Sequence, residues 1–311
     1  MNRVRVLLLA LGLSLAFSVS AETITLLETL EGQSTLRFID SAAPSVSLGT
    51  VVVTGMRPGE TLSGIDYRPA TGQLYGLGSL GGNSAQLYQI NTSTGVAAPM
   101  GLPFALFGAN VIGIDFNPVV DRVRVITTAN QNIRINPTTG EVFVDTNTDY
   151  APGDPNAGAG NAPWAVAYTN NVPGAVQTTL YGLTYGRTSL ILITIGSPNG
   201  TPASPNTGLM FTVGSTGITN ANSQSVGLDI SAGGIAYALI NSPAQLYTVN
   251  LTNGQVTLVG PFPTTSALLR DLSVGGPIFQ AATPTVPTVS PAMLAVLAGM
   301  LAAAAIVALR R

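Results

Sequence analysis

Stretches of this chain align with one another, and that repetition restricts the fold more than any other feature. Residues Gly113 to Val125 read as a short strand (Gly113-Ile114-Asp115-Phe116), a tight turn (Asn117-Pro118-Val119-Val120-Asp121) and a second strand (Arg122-Val123-Arg124-Val125). The same order recurs at Gly64-Ile65-Asp66-Tyr67, followed by Arg68-Pro69-Ala70-Thr71-Gly72 and Gln73-Leu74-Tyr75. It recurs again from Trp164 to Tyr168 and from Gly227 to Ile230. Period-two alternation marks each segment as a strand, and Gly and Pro interrupt windows that could otherwise be helical.

Each copy continues through further strands. Gln86–Asn91 leads through Thr92-Ser93-Thr94-Gly95 to Val96–Pro99; Asn132–Asn136 leads through Pro137-Thr138-Thr139-Gly140 to Glu141–Val144. Leu180–Leu183 and Leu190–Ile193 belong to the third copy, and Ala236–Leu239, Gln245–Asn250 and Gln255–Val259 to the fourth. In these turns an Asn side chain caps its own backbone, and Gly takes the left-handed conformation that closes a hairpin. Each copy is therefore a four-stranded antiparallel meander. Equivalent positions are spaced by 49, 52, 62 and 42 residues along Asp66, Asp115, Ala167, Asp229 and Asp271. Four-stranded units at such periods are propeller blades. Three strands precede Gly64 without a leading one, and Arg270–Val274 is a leading strand without the other three. The expected fold is an all-β β-propeller of five four-stranded blades, closed by pairing of the N- and C-terminal strands.

The two ends read differently. Residues 1–21 have a signal peptide's parts: Arg3 and Arg5, an apolar run from Val6 to Phe17, and small residues at Val19-Ser20-Ala21. The propeller is expected over 22–280 and a linker over 281–291. Residues 292–311 are expected to be a transmembrane helix, because Ala292–Leu309 carries no charge and is followed by Arg310-Arg311. Export with membrane anchoring follows as an expectation.

Composition excludes several functions. The chain has no cysteine, histidine or lysine, so a disulfide framework and a histidine-based triad are both ruled out. Without the four terminal arginines, eight arginines face fourteen carboxylates, a net charge near −6. That balance opposes binding to nucleic acid through phosphates.

Each candidate site also admits a structural role. Asp66, Asp115, Asp229 and Asp271 occupy one repeat position, broken by Ala167. A ring of carboxylates around the axis could hold a cation. Repetition in register points instead to backbone capping within each blade. The loop Asp145–Asn156 places oxygen side chains at Asp145, Asn147 and Asp149, as a calcium loop begins. Tyr150 stands where an EF-hand has Gly, and Asn156 where it has Glu, so a plain polar loop is the alternative. Asp121, Arg122, Arg124 and Arg134 distinguish their copy from the others; they could contact an anionic ligand, or the arginines could pair with Glu141. Tyr75, Tyr181 and Tyr237 share a repeat position and are expected to pack between blades. Beyond calcium, no cofactor is evident.

The runs Pro58–Tyr75, Gly113–Val125 and Ala165–Asn171 together resemble the bacterial secreted domain of unknown function numbered 4394, over about Leu36 to Ser273. The resemblance implies an exported β-repeat protein and supplies no catalytic residue. Val286-Pro287-Thr288-Val289-Ser290 is similar to the Ile-Pro-Thr-Leu-Ser motif of exosortase-type sorting tails, which implies a sorting peptidase as a partner. Pro291-Ala292 replaces that motif's usual acidic and aromatic pair. The expected function is a non-enzymatic module that binds an envelope polysaccharide or a protein. The alternative is a secreted hydrolase, metal-assisted or not, acting on glycans or esters.

Overall fold

A computed structural model describes residues 21–276 apart from 82, 108–111, 161, 222–224, 242–243 and 264–265. The chain begins with β1 (Thr23–Leu30), β2 (Gln33–Asp40) and β3 (Ala43–Val52), a meander lacking its innermost strand. The second blade is β4 (Thr61–Arg68), β5 (Gln73–Leu80), β6 (Ser84–Ile90) and β7 (Ala97–Ala105). The third is β8 (Ile112–Asn117), β9 (Arg122–Thr127), β10 (Asn132–Ile135) and β11 (Val142–Val144). A two-residue strand, β12 (Asp149–Tyr150), precedes the fourth blade, formed by β13 (Ala165–Tyr168), β14 (Leu180–Tyr185), β15 (Leu190–Ile195) and β16 (Leu209–Ser215). The fifth is β17 (Val226–Ile230), β18 (Ala236–Asn241), β19 (Ala244–Val249) and β20 (Val256–Pro261). Finally β21 (Leu268–Val274) pairs antiparallel with β1, setting Leu26 opposite Leu272, and so supplies the first blade's missing strand.

The inner strands β21, β4, β8, β13 and β17 contact one another in a closed cycle. Closure removes the free inner edge that an open array would expose. The five-bladed ring and its terminal clasp thus match the sequence expectation.

Hairpin chemistry is local and repeated. Asn91 Oδ1 accepts from Ser93 N (2.9 Å) and Thr94 N (3.0 Å), and Asn136 Oδ1 accepts from Thr138 N (2.9 Å). Asn250 does the same with Thr252 N (2.9 Å). The closing residues Gly95, Gly140 and Gly254 have φ of 75°, 72° and 80°. At Gly140 closeness adds to conformation: a Cβ there would stand 2.5 Å from Gly101 Cα of the neighbouring blade. Apolar clusters fill the seams, with Tyr75 edge-on to Phe116 at 5.2 Å between the second and third blades. Tyr237 packs with Ile24, Leu26 and Leu272 between the fifth and first. These tyrosines are packing residues, as expected.

Three differences from the sequence reading stand out. The fourth blade's outer strand β16 follows a long insertion and was not anticipated. That blade also gains β12, which joins β16 in parallel and makes a fifth strand. The fold class also needs correcting where it included a transmembrane helix: among the described residues no helix is long and apolar enough to cross a membrane. The described residues form an all-β five-bladed ring. The expected signal at 1–21 falls, except for its last residue, outside the described residues, as do the sorting-like motif and the segment 292–311.

Candidate functional site

The axial position of the repeat gathers the ring's carboxylates. Each sits on an inner strand, so closing the ring carries Asp66, Asp115, Asp229 and Asp271 inside; they are 1, 1, 1 and 7% exposed. One oxygen from each of Asp66, Asp115 and Asp229 lies within 4.8 Å of the other two.

Their hydrogen bonds explain the repetition. Asp66, Asp229 and Asp271 each accept from the next residue's N–H: Tyr67 at 2.8 Å, Ile230 at 2.6 Å and Leu272 at 2.9 Å. The sequence reading expected this half. The other half crosses the blade seams. Asp271 Oδ2 accepts from Ile65 N (3.0 Å), Asp66 Oδ2 from Phe116 N (2.7 Å), Asp115 Oδ1 from Tyr168 N (3.1 Å), and Asp229 Oδ2 from Val274 N (2.6 Å). Each carboxylate therefore latches its blade to the next one around the ring. Ala167 leaves the seam between the fourth and fifth blades without such a latch. Apolar packing of Ala165 and Ala167 with Val226 and Leu228 holds that seam instead.

A serine hydroxyl bridges two of these carboxyls. Ser273 Oγ lies 2.8 Å from Asp66 Oδ1 and 3.0 Å from Asp229 Oδ2. A hydroxyl carries one proton and can donate to just one of them. The second bond forms when that carboxyl is protonated and donates in return. Burial pushes the Asp66 and Asp115 carboxyls well above the usual range, and the neighbouring carboxylates push them further. Burial likewise raises Asp271, against the N–H of Ile65, and brings Asp229 up to about 6 against the N–H of Val274. A hard cation is the other means of neutralising such a group. The donor type fits, since buried carboxylate oxygens suit calcium.

The residues singled out around the third blade are arranged differently. Asp121 takes a positive φ of 51° where the second blade has Gly72, and its carboxylate holds Arg68 of that blade, with Arg68 Nε 2.8 Å from Oδ1. Arg122 donates to the carbonyls of Val120 (3.4 Å) and Asp121 (2.9 Å). Arg124 is 1% exposed and fully engaged. Its guanidinium reaches Tyr168 Oη (3.2 Å), Asn132 Oδ1 (2.7 Å), Asp145 Oδ2 (2.6 Å) and Asn206 Oδ1 (2.6 Å). Arg134 grips Asp145 with two bonds of 2.7 and 2.8 Å. The carboxylate partner of Arg124 and Arg134 is thus Asp145 rather than Glu141.

This changes the acidic loop. Two guanidiniums neutralise Asp145 and compete with any cation there. Asp149 Oδ1 accepts from Tyr150 N (2.8 Å). Asn147 and Asp149 share a recess of about 350 Å³ with Asn130 and Thr148, which Asp145 does not line. The pairing also ties the third blade to the fourth blade's insertion through Asn206. Asp145→Ala leaves a buried guanidinium without its counter-charge and is expected to cost about 3–5 kcal/mol. Asp149→Ala, which loses one exposed cap, is expected to cost about 1 kcal/mol or less; denaturant melts of the two variants check the contrast.

Sequence reasoning missed Glu60, which is 4% exposed and accepts from the Tyr88 hydroxyl and the Arg57 guanidinium. It also missed the pair formed by Trp164 and Tyr185, whose rings stack at 5.7 Å and 24°. The only signal for the latter was that the chain has a single tryptophan. At the opposite end of the ring, the second blade carries a recess of about 490 Å³ lined by Gln73, Gln89, Asn91, Thr92, Ser93 and Thr94 among others, with no charged residue.

Among solved structures, a structural-genomics protein of unknown function from Bacteroides thetaiotaomicron is similar to this chain at 15% identity and a TM-score of 0.48, over 75% of this chain and 54% of that one. A glycoside hydrolase of family GH43, engineered for endo-xylanase and exo-arabinofuranosidase activity, is similar at 14% identity and a TM-score of 0.44, over 79% and 57%. A protein described as a putative 6-phosphogluconolactonase from Bacteroides uniformis is similar at 15% identity and 0.34, over 78% and 69%. This chain spans about half the length of the first two. The fold rests on the strand pairing above, not on these distant likenesses. No curated protein sequence matches. Residues 35–273 match the model of a domain of unknown function, DUF4394, and the chain belongs to that family.

Proposed function

We propose that this chain is an exported, non-enzymatic propeller that binds an envelope polysaccharide or a partner protein at one face of its ring. One observation carries the reading: the axial carboxylates, the ring's concentrated acid groups, are committed to backbone N–H groups across four of the five seams. A general acid or nucleophile must come within hydrogen-bond reach of substrate. Groups 1–7% exposed and spent on the scaffold are poorly placed for that. The low charge content, 8% of residues, and the uncharged recess of the second blade favour a ligand rich in hydroxyl or amide groups.

In this reading calcium, or a similar hard cation, has a structural place at Asp66, Asp115 and Asp229. It would replace shared protons and reinforce the latches, with no part in turnover. An array of bacterial and plant polysaccharides, run beside a panel of chromogenic glycoside and ester substrates, tests the proposal. Retention of at least one polysaccharide with no turnover is expected. Turnover on the panel that a single axial Asp substitution abolishes would overturn it.

A further inference from the structure

Eight arginines stand among the described residues, and all but one are engaged. Arg37, Arg57, Arg68, Arg124 and Arg134 pair with carboxylates. Arg122 and Arg187 donate to backbone carbonyls. Arg270 has neither an ion pair nor a hydrogen bond among the described residues, which include all fourteen Asp and Glu side chains. Its neighbours in register are already taken. Glu28, opposite Leu269, is held by Arg37 Nε (2.6 Å) and Nη2 (3.0 Å), and Asp271 accepts from Ile65 N (3.0 Å) and Leu272 N (2.9 Å).

The backbone sets Arg270 apart as well. Leu27 pairs with Asp271 and Glu28 with Leu269, so the ladder between β1 and β21 passes over Arg270 in a bulge. The adjacent inner strand β4 has a bulge at the same end of the ring, where pairing passes over Ser63, whose Oγ lies 2.7 Å from Ser79 Oγ. The inner strands β8, β13 and β17 pair with their neighbours without a register shift. Bulges gather beside functional sites because they re-aim a side chain.

Arg270 is half-buried, so its guanidinium is partly stripped of water yet open to solvent. Burial lowers its pKa, whereas hydrogen-bonded carboxylates raise those of Arg57, Arg68 and Arg134. A charge withdrawn from water without a partner works against folding. An anion brought to it supplies the missing partner.

We propose that Arg270 takes an oxyanion of an acidic polysaccharide, a uronate carboxylate or a sugar phosphate, at the end of the ring where the inner strands begin. The guanidinium fork offers parallel N–H donors that match either group. The domain's net charge near −6 does not draw a polyanion as a whole, so the contact depends on this side chain. The assignment rests on the polysaccharide-binding reading and narrows its ligand to the acidic class.

Affinity electrophoresis of the full chain in metal-free buffer at pH 5 compares each retained acidic polymer with its neutral counterpart: polygalacturonate with its methyl ester, phosphomannan with mannan. Uronates remain ionised at that pH. The acidic member of at least one pair is expected to bind at least tenfold more tightly, the first pair marking a carboxylate and the second a phosphate. Arg270→Gln is expected to weaken that binding about tenfold, and Arg270→Lys, which keeps the charge without the fork, by less. Arg187→Gln, which removes an exposed charge already spent on carbonyls, is expected to leave it unchanged. Because Arg270 has no partner to lose, Arg270→Gln should melt at or above the native midpoint. A lower midpoint, or failure to fold, would make the side chain part of the scaffold and overturn the proposal. So would equal weakening by Arg187→Gln, or equal binding of poly-glutamate, since either reports charge attraction alone. If every polysaccharide that the native chain retains is neutral, the role of Arg270 falls and the binding reading stands. If none is retained, both fall.

Discussion

Removing β21, Leu268–Val274, abolishes cooperative folding of the ring. Leu269 and Leu272 are 2 and 1% exposed, and burying side chains of this size stabilises by about 1.5–3 kcal/mol each. The deletion also takes away Asp271, which latches to Ile65, and the Val274 N–H, which latches Asp229. Each such bond adds about 1 kcal/mol or more. The same cut leaves β1 with an unpaired edge, although its Ile24, Leu26 and Leu27 are fully buried. The sum is of the same order as the whole stability of a typical domain, about 5–15 kcal/mol. Circular dichroism melts of the truncated chain should therefore show no sharp transition. The milder Leu272→Ala should still melt cooperatively, at a cost of about 2–5 kcal/mol. If the truncated domain melts like the intact one, the ring is not closed through β21.

The second large effect is a dependence on pH. Asp66, Asp115, Asp229 and Asp271 all ionise at a higher pH in the folded chain than in the unfolded one, because burial disfavours their charged forms. Between the two values the folded state holds more protons. The stability these groups contribute is therefore fully present below the unfolded value, near 3.8, and is lost as pH rises through the folded one, which is about 6 for Asp229 and well above 3.8 for the others. In metal-free buffer the melting temperature should fall from pH 5 to pH 8 by on the order of 10 °C. Excess calcium should recover much of that loss at pH 8 and little at pH 5, where protons already neutralise the cluster. A melting temperature that rises with pH would mean that the axial carboxyls are ionised throughout. If calcium has no effect at either pH, protons alone neutralise the cluster.

The sequence made the ring legible because its signals are local. Asn91, Asn136 and Asn250 cap their own turns, and glycines at Gly95, Gly140 and Gly254 close them, so blade boundaries could be placed without any long-range contact. The terminal clasp was legible by strand arithmetic, since three strands without a leader and a leader without followers make one blade. What escaped depends on contacts between distant positions. The bond from Phe116 to Asp66 spans a separation of 50 residues, and the one from Ile65 to Asp271 spans 206, so the cross-seam half of each latch left no local mark. From sequence Arg124 has only an anionic ligand or Glu141 to pair with, because a buried guanidinium depends on partners that the chain order does not place beside it. Those partners, Asp145 and Asn206, come from the acidic loop and from an insertion in the next blade. That insertion also hid β16 by separating it from β15, and nothing in the strand pattern marks Trp164 as stacked rather than packed.

The central claim is that the axial acids serve the scaffold while the ring face binds without chemistry. Mass spectrometry of a retained glycan, incubated at saturation with the metal-free and the calcium-loaded chain, tests it most directly. The expected result is full recovery of intact glycan at every time point. Shortened or de-esterified products from the native chain, lost in an Asp115→Asn variant that still melts cooperatively, would contradict it.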